Sequence, residues 1–228
     1  DALAARRLAG EPLQYLEGTV AFGPLEVAVD PRVLIPRPET EQLWELAVAA
    51  LEEAGPGTVI VDLGTGSGAL ALALKHAFPA ARVYGVDISE DALALAVDNA
   101  ARAGLEVAFL HGDLFEALPR RLMGRIDLIV SNPPYVSEAE WTDLPPEVRD
   151  HEPRSALVAG PEGTEVLARI ADEAFWWLGV GGYVLCEIGE TQGDAVDLLF
   201  GAFDRAIRRD LTGRDRFVAA RKGATCCV

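Results

Sequence analysis

Residues 131–135 read Ser-Asn-Pro-Pro-Tyr and follow directly on the apolar run Ile126 to Val130. Each proline removes a backbone N–H and pushes the residue before it into an extended conformation, so Asn132-Pro133-Pro134-Tyr135 makes a stiff loop that offers acceptors. The Asn132 side-chain oxygen and the Pro133 carbonyl can then converge on the two hydrogens of one planar NH2 group. The lone pair of such a nitrogen is spread into the neighbouring π-system and attacks poorly. Two acceptors pulling on its hydrogens localise that pair and aim it out of the plane, while the Tyr135 ring is placed to stack on the flat group. This is positioning chemistry that requires no strong base. A plain Asn-Pro turn leaving a strand is the alternative, and it gives the second proline and the aromatic no purpose.

A second constellation lies upstream. Asp62-Leu63-Gly64-Thr65-Gly66-Ser67-Gly68-Ala69 closes a strand and opens a helix. Glycines here let the chain turn sharply and approach a ligand lying across the helix N-terminus. The string also satisfies G-x-G-x-x-A, which by itself names no particular nucleotide. Asp87 ends the next strand 25 positions after Asp62, where a carboxylate can accept both ribose hydroxyls of an adenosine. Asp113 follows the third strand in His111-Gly112-Asp113-Leu114, level with the adenine amino group of such a ligand; a helix N-cap is its other reading. The residues leave two ligands open, a nicotinamide dinucleotide and S-adenosylmethionine. Acidic strand ends, Asp62 included, suit a sulfonium cation better than a pyrophosphate.

These residues need a frame that gathers strand ends along one edge. From Thr58 onward, apolar runs of strand length alternate with helix-period segments, the pattern of a parallel sheet covered on both faces. Strands are expected at Thr58 to Leu63, Arg82 to Asp87, Val107 to Leu110, Ile126 to Ser131 and Tyr183 to Ile188. Helices are expected at Ala69 to Ala77, after a Ser89 cap with Leu93, Val97 and Ala100 inward, at Thr164 to Leu178 and at Gln192 to Phe203. Ala206 to Asp210 and Arg216 to Ala220 read as strands joined by Thr212-Gly213-Arg214-Asp215. So short a turn can join only antiparallel neighbours. The fold class is therefore α/β and Rossmann-like, a mostly parallel seven-stranded sheet ending in an antiparallel C-terminal hairpin. Residues 1–35 stand apart from the domain at 36–228. There, Tyr15 to Phe22 and Leu25 to Val29, broken by Gly23-Pro24, read as a small β-hairpin. The chain begins at Asp1, and Leu3, Arg6, Arg7 and Leu8 read as the remnant of an N-terminal helical domain. Pro36 and Pro38 lead into a helix expected from Glu39 to Glu53.

With 228 residues, half of them apolar, the chain is long enough for one core without disulfides or metal, since folding at this size buries roughly 70–75% of the unfolded surface. The formal net charge of −16 repels phosphate backbones and anionic lipid, so no direct nucleic-acid partner and no membrane partner are expected. No apolar run approaches the ~20 residues of a membrane-spanning helix. Cys186, Cys226 and Cys227 have no ligand spacing and are odd in number, which fits a reducing cytoplasm. His76, His111 and His151 are scattered without metal spacing, and no metal site is expected. Arg37 and Glu39 are placed either to order the entrance over the cofactor or to pair with each other. Glu152 is placed to brace the substrate loop, and Trp176 and Trp177 to pack a helix on the sheet.

Asn-Pro-Pro-Tyr after a Gly-rich core resembles the class I methyltransferases that act on adenine, guanine or glutamine amino groups. Ile35-Pro36-Arg37-Pro38-Glu39-Thr40-Glu41, Asp62 to Ala69, Ser131 to Tyr135 and His151-Glu152-Pro153-Arg154-Ser155-Ala156-Leu157 together are similar to the HemK/PrmC family of peptide chain release factor glutamine N5-methyltransferases. Gln14-Tyr15 and Gly18 fit the same pattern. The resemblance implies that Gly64, Thr65, Gly66, Ser67, Gly68, Asp87 and Asn132 bind S-adenosylmethionine, released as S-adenosylhomocysteine. Leu114, beside Asp113, is a departure from the family pattern, since some relatives carry an aromatic there against the adenine. The resemblance also implies that Asn132, Pro133, Pro134 and Tyr135 hold and activate the glutamine of a Gly-Gly-Gln loop in a release factor. Three rivals are a methyltransferase of an exocyclic amine in DNA or RNA, a nicotinamide-dependent oxidoreductase, and a non-catalytic binding module with cofactor affinity and no turnover. The first needs a basic face this chain lacks. The second leaves Asn132 to Tyr135 idle.

Overall fold

The computed structural model describes residues 2–51 and 54–224. Its elements run in the order α1 (Ala2–Leu8), α2 (Leu13–Glu17), β1 (Thr19–Phe22), β2 (Leu25–Ala28), α3 (Pro38–Ala50), β3 (Val59–Leu63), α4 (Ala69–Ala77), β4 (Arg82–Asp87), α5 (Glu90–Ala103) and β5 (Ala108–His111). Then come β6 (Ile126–Ser131), β7 (Val136–Ser137), α6 (Pro146–Arg149), β8 (Val158–Gly160), α7 (Glu165–Trp177), β9 (Leu178–Glu187), α8 (Gly193–Leu199), β10 (Asp204–Arg209) and β11 (Asp215–Arg221). Seven strands form one sheet in the order β10-β11-β9-β6-β3-β4-β5. From β9 through β5 the neighbours are parallel, and β11 and β10 add antiparallel at the other edge.

All five residues of β3 are buried, so the strand reads as an unbroken apolar run except for its one acid, Asp62. Successive side chains of a strand point to opposite faces. Val59, Val61 and Leu63 accordingly join a core with Ile170, Ala174 and Phe200 under α7 and α8. Ile60 joins the opposite core with Leu43, Ala47, Leu70 and Leu74 under α3 and α4. A third cluster holds Tyr15, Val29, Val33 and Ile35 against Ala92 and Leu95 of α5. Asn99 of α5 ties this region to the site, accepting from Ala28 N (2.8 Å) and donating to the carbonyls of Ala28 (3.0 Å) and Ser67 (2.9 Å).

Several expectations need correction. Tyr15 lies in a helical turn, not a strand: Pro12 precedes α2, Gly18 closes it with a left-handed φ of 77°, and the Tyr15 hydroxyl donates to Val33 O (2.5 Å). Val97 is 51% exposed, because the buried stripe of α5 runs through Ala92, Leu93, Leu95, Ala96, Asn99 and Ala100. Ser89 caps that helix as expected, accepting from Ala92 N (3.2 Å). Only Trp177 of the tryptophan pair packs inward, stacked on Phe115 with ring centroids 5.8 Å apart. Trp176 is 67% exposed, since adjacent helical residues point about 100° apart. The strand β9 begins five residues earlier than expected, and α8 stops at Leu199. The hairpin turn sits one residue earlier, at 211–214, where Asp210 Oδ1 accepts from the backbone of Thr212 and Arg214. The expected end of α3 at Glu53, together with Cys226 and Cys227, lies outside the described residues.

Candidate active site

The switch in strand direction of travel falls at β3, whose neighbours are β4 on one side and β6 on the other. Open α/β sheets bind ligands beyond the carboxyl ends of strands at such a point. A cavity of about 630 Å3 opens there, within the span typical of small-molecule sites. Its walls include Gly64, Thr65, Gly66, Ser67, Asp87, Asp113, Leu114, Asn132 and Pro134. Gly68, Pro133 and Tyr135 do not line it. Gly68 instead sits where a Cβ would come within 3.1 Å of Ala96 and 3.3 Å of Phe109, so its role here is close packing at the start of α4.

Gly64 and Gly66 have left-handed φ values of 72° and 53°, and a Cβ on either would meet no atom within 4 Å. The backbone there is bare toward the cavity. The Asp87 carboxylate fixes the loop by accepting from Gly66 N (2.8 Å) and Ser89 N (2.9 Å), joining the ends of β3 and β4. Burial raises its pKa, and those N–H groups oppose the rise. Asp62 is buried and accepts from Thr65 Oγ1 (2.7 Å) and Ala71 N (3.2 Å); burial pushes its carboxyl up to about 7. Asp113 gives no side-chain cap to the 3-10 turn that follows; it pairs with Arg169 of α7 (3.0 Å), with both side chains well exposed. Such a pair contributes about 0–1 kcal/mol. Leu114 holds a φ of 48°, the one positive φ outside glycine among the described residues. Leu114 lines the cavity in this conformation. Ile88, 62% exposed, lines the same cavity.

The tetrapeptide leaves β6 beside this loop because Ser131 pairs with Leu63, and the buried Ser131 hydroxyl donates to Leu63 O (2.7 Å). Asn132 Nδ2 donates to Thr40 Oγ1 (3.0 Å), and the Thr40 hydroxyl donates to Glu187 Oε2 (3.0 Å). The Tyr135 hydroxyl donates to the other oxygen, Glu187 Oε1 (3.0 Å). The expected free face of the Tyr135 ring is thus modified by an anchor: the ring is half-buried against the core under α7 and its hydroxyl is committed to Glu187. Gln192 clamps the same loop, donating to the carbonyls of Tyr135 (2.8 Å) and Gly163 (3.1 Å). Gly163 has φ 80°, and a Cβ there would lie 2.7 Å from Tyr135 O. Gly163→Ala should cost about 1–3 kcal/mol by strain and displacement of that loop. An unchanged urea midpoint would show the loop to be loose.

Burial pushes the Glu187 carboxyl up to about 7, against the hydrogen bonds from Tyr135 and Thr40 that lower it. Folding therefore takes up a proton at this site. The resulting stability is complete below the ordinary value of 4.5 and is lost as pH rises through about 7. In the cofactor-free protein, Glu187→Gln should escape about 3 kcal/mol of the loss that wild type shows between these limits. Urea titrations of both proteins at pH 5 and pH 8 measure this, and an identical pH dependence would contradict it.

Over the cavity runs a strap that includes Pro31, Arg32, Val33, Leu34 and Pro36. Arg37 does not pair with Glu39, one of the two placements expected for it. It pairs with Glu152, whose side chain is buried while Arg37 remains a third exposed. Burial favours this partner, because an unpaired carboxylate inside would cost far more than one at the surface. The pair links the strap to the segment 153–158, which also contributes Pro153, Ser155, Ala156 and Val158 to the cavity. Sequence reasoning missed Thr40, Glu187, Gln192 and Arg169 as members of the site. For Glu187 a signal existed: an acid inside the apolar run Tyr183 to Ile188 must find donors when buried.

A mostly parallel seven-stranded sheet finished by an antiparallel hairpin, with a glycine loop and acidic strand ends around one cavity, defines a class I methyltransferase. Residues 44–144 match the methyltransferase small domain model. The release factor glutamine methyltransferases of Streptomyces coelicolor and Mycolicibacterium smegmatis are 44% and 47% identical to this chain, each over 96% of it and over 79% and 77% of their own lengths. The chain belongs to the release factor glutamine methyltransferase family. The structure of the protein-(glutamine-N5) methyltransferase, release factor-specific, from Alicyclobacillus acidocaldarius matches 86% of this chain and 99% of its own at 30% identity, with a TM-score of 0.52. A Pyrococcus furiosus methyltransferase shares the fold over 97% of the chain (TM-score 0.66, 18% identity).

Proposed function

We infer that this enzyme transfers a methyl group from S-adenosylmethionine to the side-chain N5 nitrogen of the glutamine in the Gly-Gly-Gln motif of peptide chain release factors. The observation that carries the reading is the state of Asn132: it lines the cavity and its NH2 is already committed to Thr40, so its carbonyl oxygen is the group left to accept from a substrate. The cofactor's residues fit the chain. Bare glycine backbone at Gly64 and Gly66, the Asp87 carboxylate, and the apolar Ile88 and Leu114 together offer hydrogen-bond partners for a ribose and flat apolar walls for a base. When bound, S-adenosylmethionine supplies an electrophilic methyl on a sulfonium and leaves as S-adenosylhomocysteine.

The chain's own contribution is to orient a poor nucleophile. Asn132 Oδ1 accepts one of the two amide hydrogens of the glutamine and holds its nitrogen toward the methyl donor; the Pro133 carbonyl, which does not line the cavity as it stands, is the second acceptor the reading requires. Tyr135 and Gln192 keep that corner rigid through Glu187 and the loop carbonyls. A preorganised polar group of this kind is worth more than the same contact in water. Thr65, Ser67 and Asp113 complete the cofactor wall. The expected partner is the release factor itself, with no direct nucleic-acid contact. Among the described residues, no helix is long and apolar enough to cross a membrane, and we expect the enzyme to work in the cytoplasm, where its substrate acts. Incubation with tritiated S-adenosylmethionine, a release factor and structured RNA or DNA tests the reading. Label is expected on the Gly-Gly-Gln glutamine, and label confined to nucleic acid would overturn it.

A further inference from the structure

The Asn132 amide could present either its oxygen or its NH2 to the cavity, and nothing in its own shape decides which. The decision is made two bonds away. A carboxylate can only accept, so an ionised Glu187 draws the single hydroxyl hydrogen of Thr40 (3.0 Å) and the hydroxyl hydrogen of Tyr135 (3.0 Å). With its hydrogen spent, Thr40 Oγ1 has only lone pairs to offer, and Asn132 Nδ2 donates to one of them (3.0 Å). We propose that Thr40 and Glu187 are positioning residues that set the polarity of the corner, each hydrogen bond forcing the direction of the next until the Asn132 oxygen faces the substrate nitrogen. The proposal rests on the glutamine reading above and deepens it, because it explains how an amide with two donor hydrogens is selected over a glutamate, which has none when ionised.

The geometry that supports it is a network buried at one end and opening on the cavity at the other. Thr40 is 6% exposed and Glu187 1% exposed, and Thr40 and Asn132 line the cavity, so Glu187 sets the direction from the buried end and the substrate meets it at Asn132. The pieces come from three elements: Thr40 from the first turn of α3, Asn132 and Tyr135 from the loop after β6, and Glu187 from the end of β9. A neutral Glu187 would break the rule. With the proton on Oε2, the oxygen that faces Thr40, its O–H donates to Thr40 and frees the Thr40 hydrogen to bond the Asn132 oxygen. The amide would then turn its NH2 toward the substrate, donor against donor. The charged and titratable groups facing Glu187 are Tyr135, Glu39 of α3, which disfavours the carboxylate, and Arg216 of β11, which favours it. Arg216 is itself held against Ile188 O (3.2 Å). Burial pushes Glu187 up to about 7, so the switch in polarity falls in an accessible pH range.

The test uses the full chain, a release factor and three variants. Thr40→Val keeps the shape and removes the hydroxyl. It should lower kcat by about 10- to 100-fold, the cost of leaving a buried polar group unpaired, with the Kd for S-adenosylhomocysteine within about threefold of wild type. Thr40→Ser should restore most of the rate. Wild-type kcat should rise with pH along a limb centred near pH 7, and Glu187→Gln, which does not titrate, should lose that limb. Calorimetry on the S-adenosylhomocysteine-bound enzyme at pH 8 supplies a readout apart from turnover: the preference for a Gly-Gly-Gln over a Gly-Gly-Glu peptide should shrink in Thr40→Val. Full activity and selectivity in Thr40→Val, or an unchanged limb in Glu187→Gln, would overturn the proposal. If Glu187→Gln does not fold, the Thr40→Val and Thr40→Ser pair decides. A wild-type enzyme that fails to label release factor would instead remove the glutamine reading, leaving a distinct signature.

Discussion

Asn132→Ala is expected to lower kcat by about 10²–10³-fold, equivalent to about 3–4 kcal/mol of transition-state stabilisation. The loss should fall chiefly on kcat, with a smaller loss of cofactor affinity from Asn132 itself, because the glycine loop, Asp87 and Leu114 stand on other strand ends and keep most of the cavity wall. Folding should be nearly unaffected, since the partly exposed Asn132 gives up a single hydrogen bond to Thr40 (3.0 Å). Single-turnover rates with saturating release factor, beside calorimetric titration with S-adenosylhomocysteine, separate the two quantities. A variant keeping more than a tenth of the wild-type rate would remove Asn132 from the chemistry.

Asp87→Ala should produce the complementary pattern, a Kd for S-adenosylhomocysteine raised by about 100-fold or more, from two lost charge-assisted contacts at about 1.5 kcal/mol each. The carboxylate does two jobs. It orders the cavity by accepting from Gly66 N and Ser89 N, and on the proposed function its remaining lone pairs accept from the ribose. Asp87→Asn should fall between, because the amide oxygen can keep one N–H partner while its NH2 is set against the other. Measured at a pH where the fold is intact by circular dichroism, a Kd within threefold of wild type for Asp87→Ala would show that the ribose is held by other groups.

Much of this was legible along the chain because strand ends are local events. The glycine loop, Asp87, Asp113 and Asn132 each follow an apolar run, and parallel strands joined by crossover helices must present those ends on one edge. The antiparallel hairpin was equally legible from a turn too short for a crossover. Boundaries were less so. Tyr15 was read into a strand because its neighbours Val20 and Phe22 are β-formers, whereas Pro12 and Gly18 frame a turn of helix whose purpose, delivering the Tyr15 hydroxyl to Val33, lies 18 positions further on. Val97 was read inward because spacing gives a period but not its phase, and the phase belongs to the surface on which α5 rests.

The order of residues alone determined a stiff acceptor loop and a glycine turn, built from neighbours whose covalent geometry restricts them whatever surrounds them, and the resemblance those motifs carry implied the reaction class. Only the folded chain decided how that loop is held. Thr40 and Asn132 are 92 positions apart and Thr40 and Glu187 are 147 apart. Their meeting depends on β9 lying beside β6 in one particular register, with Ser131 level with Cys186, and on α3 crossing the same sheet. Long-range contacts of this kind follow from the packing of whole elements, which burial of the apolar faces selects, and no local pattern encodes which polar groups that packing will bring within 3 Å of each other.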